Sequence, residues 1–241
     1  MATRAQLNAW IDDIIDDASF EDINDRIDES ILEIAGGIII PDGSGRRSPP
    51  LPDLYKIDTV DTATDAAYVS LPDEFHRDLI YVVDSSGCRI NPPSGGDYES
   101  FRLFLNGVSN KGLTESGSIY SVARKGLKLY YQGIPAASVA LTVHFYELPT
   151  ILEEDDDVPS CIPSFLQRRL IVHRSCARMY GEGIEDGETS RQTGEKYHSA
   201  RFYEALMELT EHIGEDAEPV VYANNDGLYG MDGAVCDGGH F

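Results

Sequence analysis

The 241-residue chain is strongly acidic, with 42 Asp and Glu against 19 Lys and Arg and a formal net charge of −23. So few cations disfavour binding of nucleic acid, because that binding neutralises phosphates with Lys and Arg, and they also disfavour an anionic membrane surface. Three explanations of the charge remain: a basic protein partner, solubility alone, or a surface along which DNA moves without binding. The 41% hydrophobic content is ordinary for one or two globular domains.

The cysteines are scattered and form no CxxC pair, which predicts reduced thiols rather than a disulfide framework. The N-terminus lacks the apolar segment of a signal peptide, and the longest apolar runs are too short to span a bilayer. We therefore expect a soluble protein made in the cytoplasm. The four cysteines are Cys88, Cys161, Cys176 and Cys236.

Two amphipathic helices are predicted before residue 36, because apolar residues recur there at three- and four-residue spacing with Asp and Glu between them. Thr3 is expected to cap the first helix and Ser19 the second, while Gly36 and Gly37 end the second. The stripes consist of Leu7, Trp10, Ile11, Ile14 and Ile15, and then of Phe20, Ile23, Ile27, Ile31 and Ile34.

A Pro-, Gly- and Ser-rich linker at 41–53 precedes a region with strand-like alternation. The clearest strand is 139–146, in which Val139, Leu141, Val143 and Phe145 share one face. The other predicted elements are strands at 67–71 and 79–84, a short helix at 97–105, and a hairpin over 120–131 with its turn at 124–126.

Helical periodicity returns after the acidic run 153–157, which we interpret as a solvated hinge. Pro163 suits the first turn of a helix that runs to about Tyr180, and a last helix is predicted over 188–213. The layout is therefore helical, β-rich, helical, and then an acidic Gly-rich tail. The predicted divisions are 1–50 and 151–214 for the helical parts, 51–150 for the β-rich insert and 215–241 for the tail, which we expect to be flexible until it binds a partner.

No constellation of residues suggests catalysis. The pairs Cys236-x3-His240 and His173-x2-Cys176 each offer two ligands with no second pair nearby, whereas structural zinc needs four. The glycine run 181–187 follows a predicted helix, is one residue too long for a dinucleotide fingerprint, and carries acids that would repel a pyrophosphate. Neither GxxxxGK[ST] nor GxSxG occurs. We predict no enzyme activity, no metal and no cofactor.

Two groups of residues are candidate interfaces. The first is a basic face on one predicted helix, for which two interpretations stay open. Its arginines could pair with acids of the N-terminal helices, or they could bind carboxylates of a partner or a second subunit; DNA binding is the least favoured. The face comprises Arg168, Arg169, Arg174 and Arg178, and the second group is the apolar set of the tail, Val220, Val221, Tyr222, Leu228 and Tyr229.

Several segments together resemble a known family. A Leu-Pro-Asp-Glu-Phe sequence lies within 68–77, the β-rich region closes on Leu-Pro-Thr-Ile-Leu at 148–152, and a Pro-rooted helix follows at 161–170. A long helix with spaced aromatic residues comes next, at 196–206. Over about residues 4–213 this arrangement is similar to the head–tail adaptor (connector) proteins of short-tailed bacteriophages, the group that includes tail tubular protein A.

The resemblance implies an α+β fold, in which an α-helical bundle of the N- and C-terminal helices carries the β-rich insert domain and a flexible acidic C-terminal arm. It also implies a structural role in the virion neck. There a ring, usually of twelve copies, joins the portal protein to the tail nozzle protein, and the arm reaches toward the portal. The charge fits this role, since carboxylates on a channel wall repel the phosphates of DNA and let the genome slide through.

Two other hypotheses stay open: a monomeric acidic module that binds a basic partner through 215–241, and a hydrolase with an unrecognised carboxylate pair. For a ring, closure has to overcome repulsion among copies that each carry −23, screened over about 8 Å at physiological salt. We therefore expect assembly to need a partner as template or elevated salt.

Overall fold

The protein is described from a computed structural model. It describes residues 1–15, 23–41, 43, 45–92, 96–182 and 188–214, with a short strand at 234–235. Over these residues the fold contains five α-helices and two antiparallel sheets, so the prediction of a mixed α+β fold is confirmed at that level. The described residues form two compact units: a helical unit of 1–54 with 148–214, and a sheet unit of 55–147 with the strand at 234–235.

The helices and strands have the following bounds. The helices are α1 (Arg4–Ile15), α2 (Ile23–Gly36), α3 (Gly96–Gly107), α4 (His173–Glu182) and α5 (Glu188–Ile213). The strands are β1 (Tyr55–Asp61), β2 (Tyr68–Ser70), β3 (Phe75–Val83), β4 (Arg89–Ile90), β5 (Ser121–Lys125), β6 (Lys128–Gln132), β7 (Ala140–Glu147) and β8 (Ala234–Val235).

Helices α1 and α2 form where the apolar stripes predict them. The backbone N–H of Gln6 donates to Thr3 Oγ1 at 3.3 Å and the N–H of Thr3 donates to Gln6 Oε1 at 3.1 Å, a reciprocal cap that confirms the expected helix start. The predicted break and its Ser19 cap fall in 16–22, outside the described residues. The stripe residues that the fold buries are Leu7, Ile11, Ile15, Ile27, Ile31 and Ile34.

The helix expected from Pro163 starts differently. A turn, in which the Leu166 N–H donates to the Pro163 carbonyl at 2.8 Å, leads into a π-helical segment, Arg168–Val172, and α4 follows it. Helix α5 has the predicted bounds, and a Cβ at Gly194 would lie 2.7 Å from the ring of Tyr180, so glycine permits α5 to approach α4. No described helix combines the length and the apolar content needed to cross a bilayer.

A buried amide ties the N-terminus to the C-terminal part of the helical unit. The Gln167 side chain is fully buried, and its Oε1 accepts the Ala2 N–H at 2.7 Å. Its Nε2 donates to the carbonyls of Pro159 and Ile162, both at 3.0 Å. Two segments more than 150 residues apart therefore depend on one side chain for their buried backbone hydrogen bonds.

The sheet unit contains a five-stranded sheet of order β1-β7-β3-β4-β8 and a three-stranded sheet of order β2-β6-β5. The first and last strands of residues 55–147 pair with each other, with Tyr55 opposite Tyr146, so this segment begins and ends on neighbouring strands. Phe104 of α3 and Val108, which directly follows that helix, pack against Ala123. The larger core contains Val60, Leu71, Phe75, Leu79, Val82, Ile90, Ile119, Val122, Leu129, Tyr131, Leu141, Val143 and Phe145.

The predicted strands are present, but their first and last residues differ from the predicted ones. The strand at 139–146 is β7, and its second face is also buried in the C-terminal half, where His144 and Tyr146 are only 8% and 1% exposed. Strand β3 begins at Phe75, four residues before the predicted start at 79. The hairpin turn lies at Gly126 and Leu127 rather than at 124–126, because Gly126 supplies the positive φ of 61°.

The prediction of reduced cysteines is wrong at Cys88, which is disulfide-bonded. Cys161 and Cys176 are free and buried, and burial raises their thiol pKa values to about 11 and about 12. Cys236 lies outside the described residues. The error has a topological cause: the neighbour of β4 is β8, which pairs Arg89 with Val235, and spacing along the chain does not reveal a contact between such distant segments.

We expect Gln167→Leu to lower the free energy of unfolding by about 2–4 kcal/mol, because three buried backbone groups lose their partner. Urea unfolding followed by circular dichroism measures the change. The control is Asn106→Leu at an exposed position of α3, where a change within about 0.5 kcal/mol is expected. Equal stability of the two variants would contradict the role given to the Gln167 amide.

Candidate interaction surface

The four arginines of the predicted basic face divide into two pairs. Arg168 and Arg169 lie in the π-helical segment, whereas Arg174 and Arg178 lie on α4. The second pair contacts α2, and the first pair contacts α1 and α5. Pairing within the chain and binding of a partner, the two interpretations of the basic face, are therefore considered separately for each pair.

Arg174 and Arg178 bind carboxylates within the helical unit. Arg174 Nε lies 2.6 Å from Glu33 Oε2, and Arg178 Nη2 lies 2.7 Å from Glu33 Oε1. Arg178 also binds Glu29. These side chains are between one fifth and one half exposed. For this pair the structure shows intramolecular pairing with acids of an N-terminal helix, one of the two interpretations left open by the sequence.

A buried polar contact continues this junction between α2 and α4. The hydroxyls of Ser30 and Ser175 lie 3.0 Å apart, and both residues are fully buried. The Ser175 hydroxyl also donates to the Arg26 carbonyl at 3.1 Å. Arg26 in turn bridges Glu29 and Glu182, at 2.7 and 2.6 Å. The junction thus fixes the register of α2 against α4 through directional contacts.

The electrostatics of Glu33 follow from this geometry. Burial alone would raise the pKa of Glu33, but the hydrogen bonds and charges of Arg174 and Arg178 outweigh it and hold the pKa below its usual value. The carboxylate therefore stays ionised well into the acidic range, and its ion pairs contribute to folding at neutral pH.

Arg168 and Arg169 are the members of the basic face with the most open surroundings. The Arg168 side chain is exposed, and its guanidinium lies 4.8 Å from the ring centroid of Trp10. Arg169 binds Glu208 of α5, and both side chains in that pair are more than 40% exposed. These two positions keep the interface interpretation open, as a prediction. The apolar candidates of the tail, Val220, Val221, Tyr222, Leu228 and Tyr229, lie outside the described residues.

The structure also brings together two histidines that the sequence left unlinked. Nδ1 of His173 and Nδ1 of His198 lie 2.9 Å apart, between α4 and α5. The ring of Tyr180 stacks on His198, which is only 6% exposed, and the ring of Tyr197 meets it edge-on. At this separation one nitrogen donates and the other accepts, so protonation of both Nδ1 atoms would remove the hydrogen bond.

The surroundings of both histidines lower their pKa values and so favour the neutral form. Burial lowers the pKa of His173, and the charges of Arg201, Arg168 and Arg169 lower it further, against a smaller opposite effect of Glu204. Burial, together with His173, lowers the pKa of His198 to about 4. His173 thus packs against a second histidine between two helices, and the pair makes the helical unit sensitive to acid.

The described residues form neither a metal site nor a serine-based active site. Among the described residues, no three His, Cys, Asp or Glu side chains are grouped to hold a metal ion. An open cavity of about 580 Å³ in the sheet unit is lined by serines and Asp84, and its described lining holds no histidine, cysteine or lysine to activate a serine. Burial raises the pKa of Asp28, whose carboxylate accepts the Leu152 N–H at 3.3 Å and so serves the fold.

We expect Arg178→Met to lower the free energy of unfolding at pH 7 by about 1 kcal/mol, the scale of partly exposed ion pairs in a network. The loss should shrink as the pH falls through the lowered pKa of Glu33, because protonation removes its charge. A double-mutant cycle with Glu33→Gln isolates the pair. Arg201→Met is the control, since its pair with Glu204 is more than half exposed. Equal losses for the two arginines would refute the assignment.

We expect stability to decrease from pH 7 to pH 4 partly through His198. Its pKa is lower in the folded than in the unfolded chain, so the unfolded chain binds more protons between about 4 and 6.5 and folding weakens as the pH falls. His198→Leu should reduce this decrease by about 1–3 kcal/mol, as measured by urea unfolding at each pH. His212→Gln, at an exposed position of α5, is the control, and an unchanged slope in His198→Leu is the outcome that contradicts the prediction.

The comparison with known proteins gives the chain a family. The profile of the family described as SU10 adaptor protein matches residues 3–224, nearly the whole of the chain. The match includes residues of both units rather than one local motif. No curated protein matches the chain. The chain therefore belongs to the SU10 adaptor protein family, and the resemblance to phage head–tail adaptor proteins is confirmed.

Proposed function

We propose that this chain forms a ring that joins the portal protein to the tail nozzle protein in the neck of a phage virion and lines the channel for DNA. The family match over residues 3–224 is the observation that carries the proposal, because it makes the chain a structural adaptor of a phage. Twelve copies is the number that the resemblance to short-tailed phage adaptors implies. Synthesis in the host cytoplasm precedes assembly on the virion.

The charge of the chain supports the part of the proposal that concerns DNA. A net charge of −23 makes each copy repel phosphates at short range. Several cations are also engaged within their own unit, as Arg174 and Arg178 are by Glu33. A wall of this kind lets DNA slide, since few arginines remain to neutralise its phosphates.

The C-terminal segment and the outer arginines supply the proposed contacts with partners. Residues 215–241, of which 234–235 pair with β4 in the sheet unit, would contact the portal, and Arg168 and Arg169 would bind carboxylates of the portal or of a neighbouring copy. The repulsion between copies is the reason that the ring needs the portal as a template or needs elevated salt.

Native mass spectrometry at moderate salt tests the proposal, with the full chain alone and then mixed with the portal ring of the same phage. We expect monomers to convert to a twelve-membered ring on the portal, and Arg168→Glu with Arg169→Glu to weaken that conversion. A chain shortened to residue 214 separates the alternatives: a monomeric binding module would lose all binding, whereas a ring also depends on the helical body. A wild-type chain that stays monomeric and ignores the portal would overturn the proposal.

A further inference from the structure

An exposed hairpin tip in the sheet unit concentrates positive charge in this acidic chain. The tip joins β5 to β6, and residues 125–128 are all exposed, with Leu127 at 62%. The Leu71 N–H donates to the Leu127 carbonyl at 2.9 Å, which anchors the turn to the residue that follows β2. We name this feature the basic tip and define it by Arg124, Lys125, Leu127 and Lys128.

Each cation of the basic tip lies over an aromatic ring. Arg124 is 4.7 Å from the ring centroid of Phe75, and Lys125 is 4.9 Å from that of Phe101. Lys128 is 4.1 Å from the ring centroid of Tyr68, a residue that is itself 43% exposed.

The rings orient the two lysine side chains without neutralising them, because a ring face supplies no formal negative charge. In the part of the chain that the structure describes, neither tip lysine pairs with a carboxylate. Their charges are therefore available to an anionic partner. The exposed leucine between them favours a partner that offers an apolar contact as well, which a protein surface does and a phosphate backbone does not.

A complementary surface exists on the same chain, in the helical unit. Residues 153–156 are four consecutive exposed carboxylates. Their loop is fixed from two sides: the N–H groups of Arg4 and Ala5 donate to its carbonyls at 2.8 and 3.0 Å, and Asp157 Oδ2 accepts the N–H groups of 153 and 154. Ile151, at the start of this loop, is 56% exposed. We name residues 151–157 the acidic loop.

We propose that the basic tip of one copy binds the acidic loop of a second copy, with Lys125 and Lys128 on the carboxylates and Leu127 on Ile151. This inference rests on the proposed ring, for which it supplies a contact between neighbours. The two surfaces differ, so the contact is head-to-tail, and repetition of a head-to-tail contact closes a ring when the rotation permits. The attraction is local, which lets it act against the long-range repulsion of two copies of charge −23.

Cross-linking with a carbodiimide, which joins amines directly to carboxylates, tests the contact. Full-length chains labelled with nitrogen-14 and nitrogen-15 are mixed equally, assembled on the portal ring, cross-linked, digested and analysed by mass spectrometry. We expect peptides of mixed isotope that join Lys125 or Lys128 to the acidic loop. Lys111, an exposed lysine of the same unit, is the internal control and should give no such product. Tip-to-loop cross-links of a single isotope only, or none at all, would overturn the proposal.

Charge reversal provides the second test and separates this inference from the ring itself. Lys125→Glu with Lys128→Glu should reduce the ring population by about tenfold or more, Glu153→Lys with Glu154→Lys in the same chain should restore it, and Lys111→Glu should leave it unchanged. If the wild-type chain forms the ring and the tip variant forms it equally well, the contact is wrong and the ring stands. If the wild-type chain forms no ring, both proposals fail. Retardation of duplex DNA by the wild-type chain, lost in the tip variant, would replace the second copy with nucleic acid as the partner of the tip.

Discussion

The helical unit depends on a junction between α2 and α4 in which Glu33 binds two arginines and two buried serine hydroxyls meet. The helices in this junction come from parts of the chain more than 140 residues apart. The helical unit is made from the segments on either side of residues 55–147, so its closure fixes the two points at which those residues are attached to it. Directional ion pairs and hydrogen bonds suit this purpose, because apolar stripes alone allow two helices to slide by a turn.

The same contacts explain how so acidic a chain uses its few cations. Arg26, Arg174 and Arg178 hold helices together, and Lys56 binds Glu147 across the first and last strands of the insert. These cations are therefore paired with carboxylates of their own unit, and the exposed surface keeps an excess of negative charge. The basic tip is a local departure from this rule, which is why its position matters for contacts between copies.

The sequence was sufficient where a feature depends on near neighbours. The apolar spacing predicted α1, α2 and α5, and Thr3 capped its helix as expected, because three- and four-residue periodicity is local information. The π-helical segment, the disulfide at Cys88 and the histidine pair were not predicted, since each depends on packing or on a partner distant in the chain. At the candidate surface, the cluster of arginines was evident from composition, but the pairing of Arg174 with Glu33 required the fold. The adaptor family was recognised from a resemblance, not from any chemical motif.

The pairing of β1 with β7 has an evolutionary consequence. Because Tyr55 and Tyr146 are direct neighbours across the ladder, the ends of the helical unit at Leu54 and Leu148 could be bridged by a short turn in place of the whole insert. Replacement of residues 55–147 by recombination would therefore disturb the helical unit little, and only the pairing of β8 with β4 would have to be lost or rebuilt with it. The helical unit and the insert can thus diverge at different rates, one under the demands of its own packing and the other under those of a changing partner.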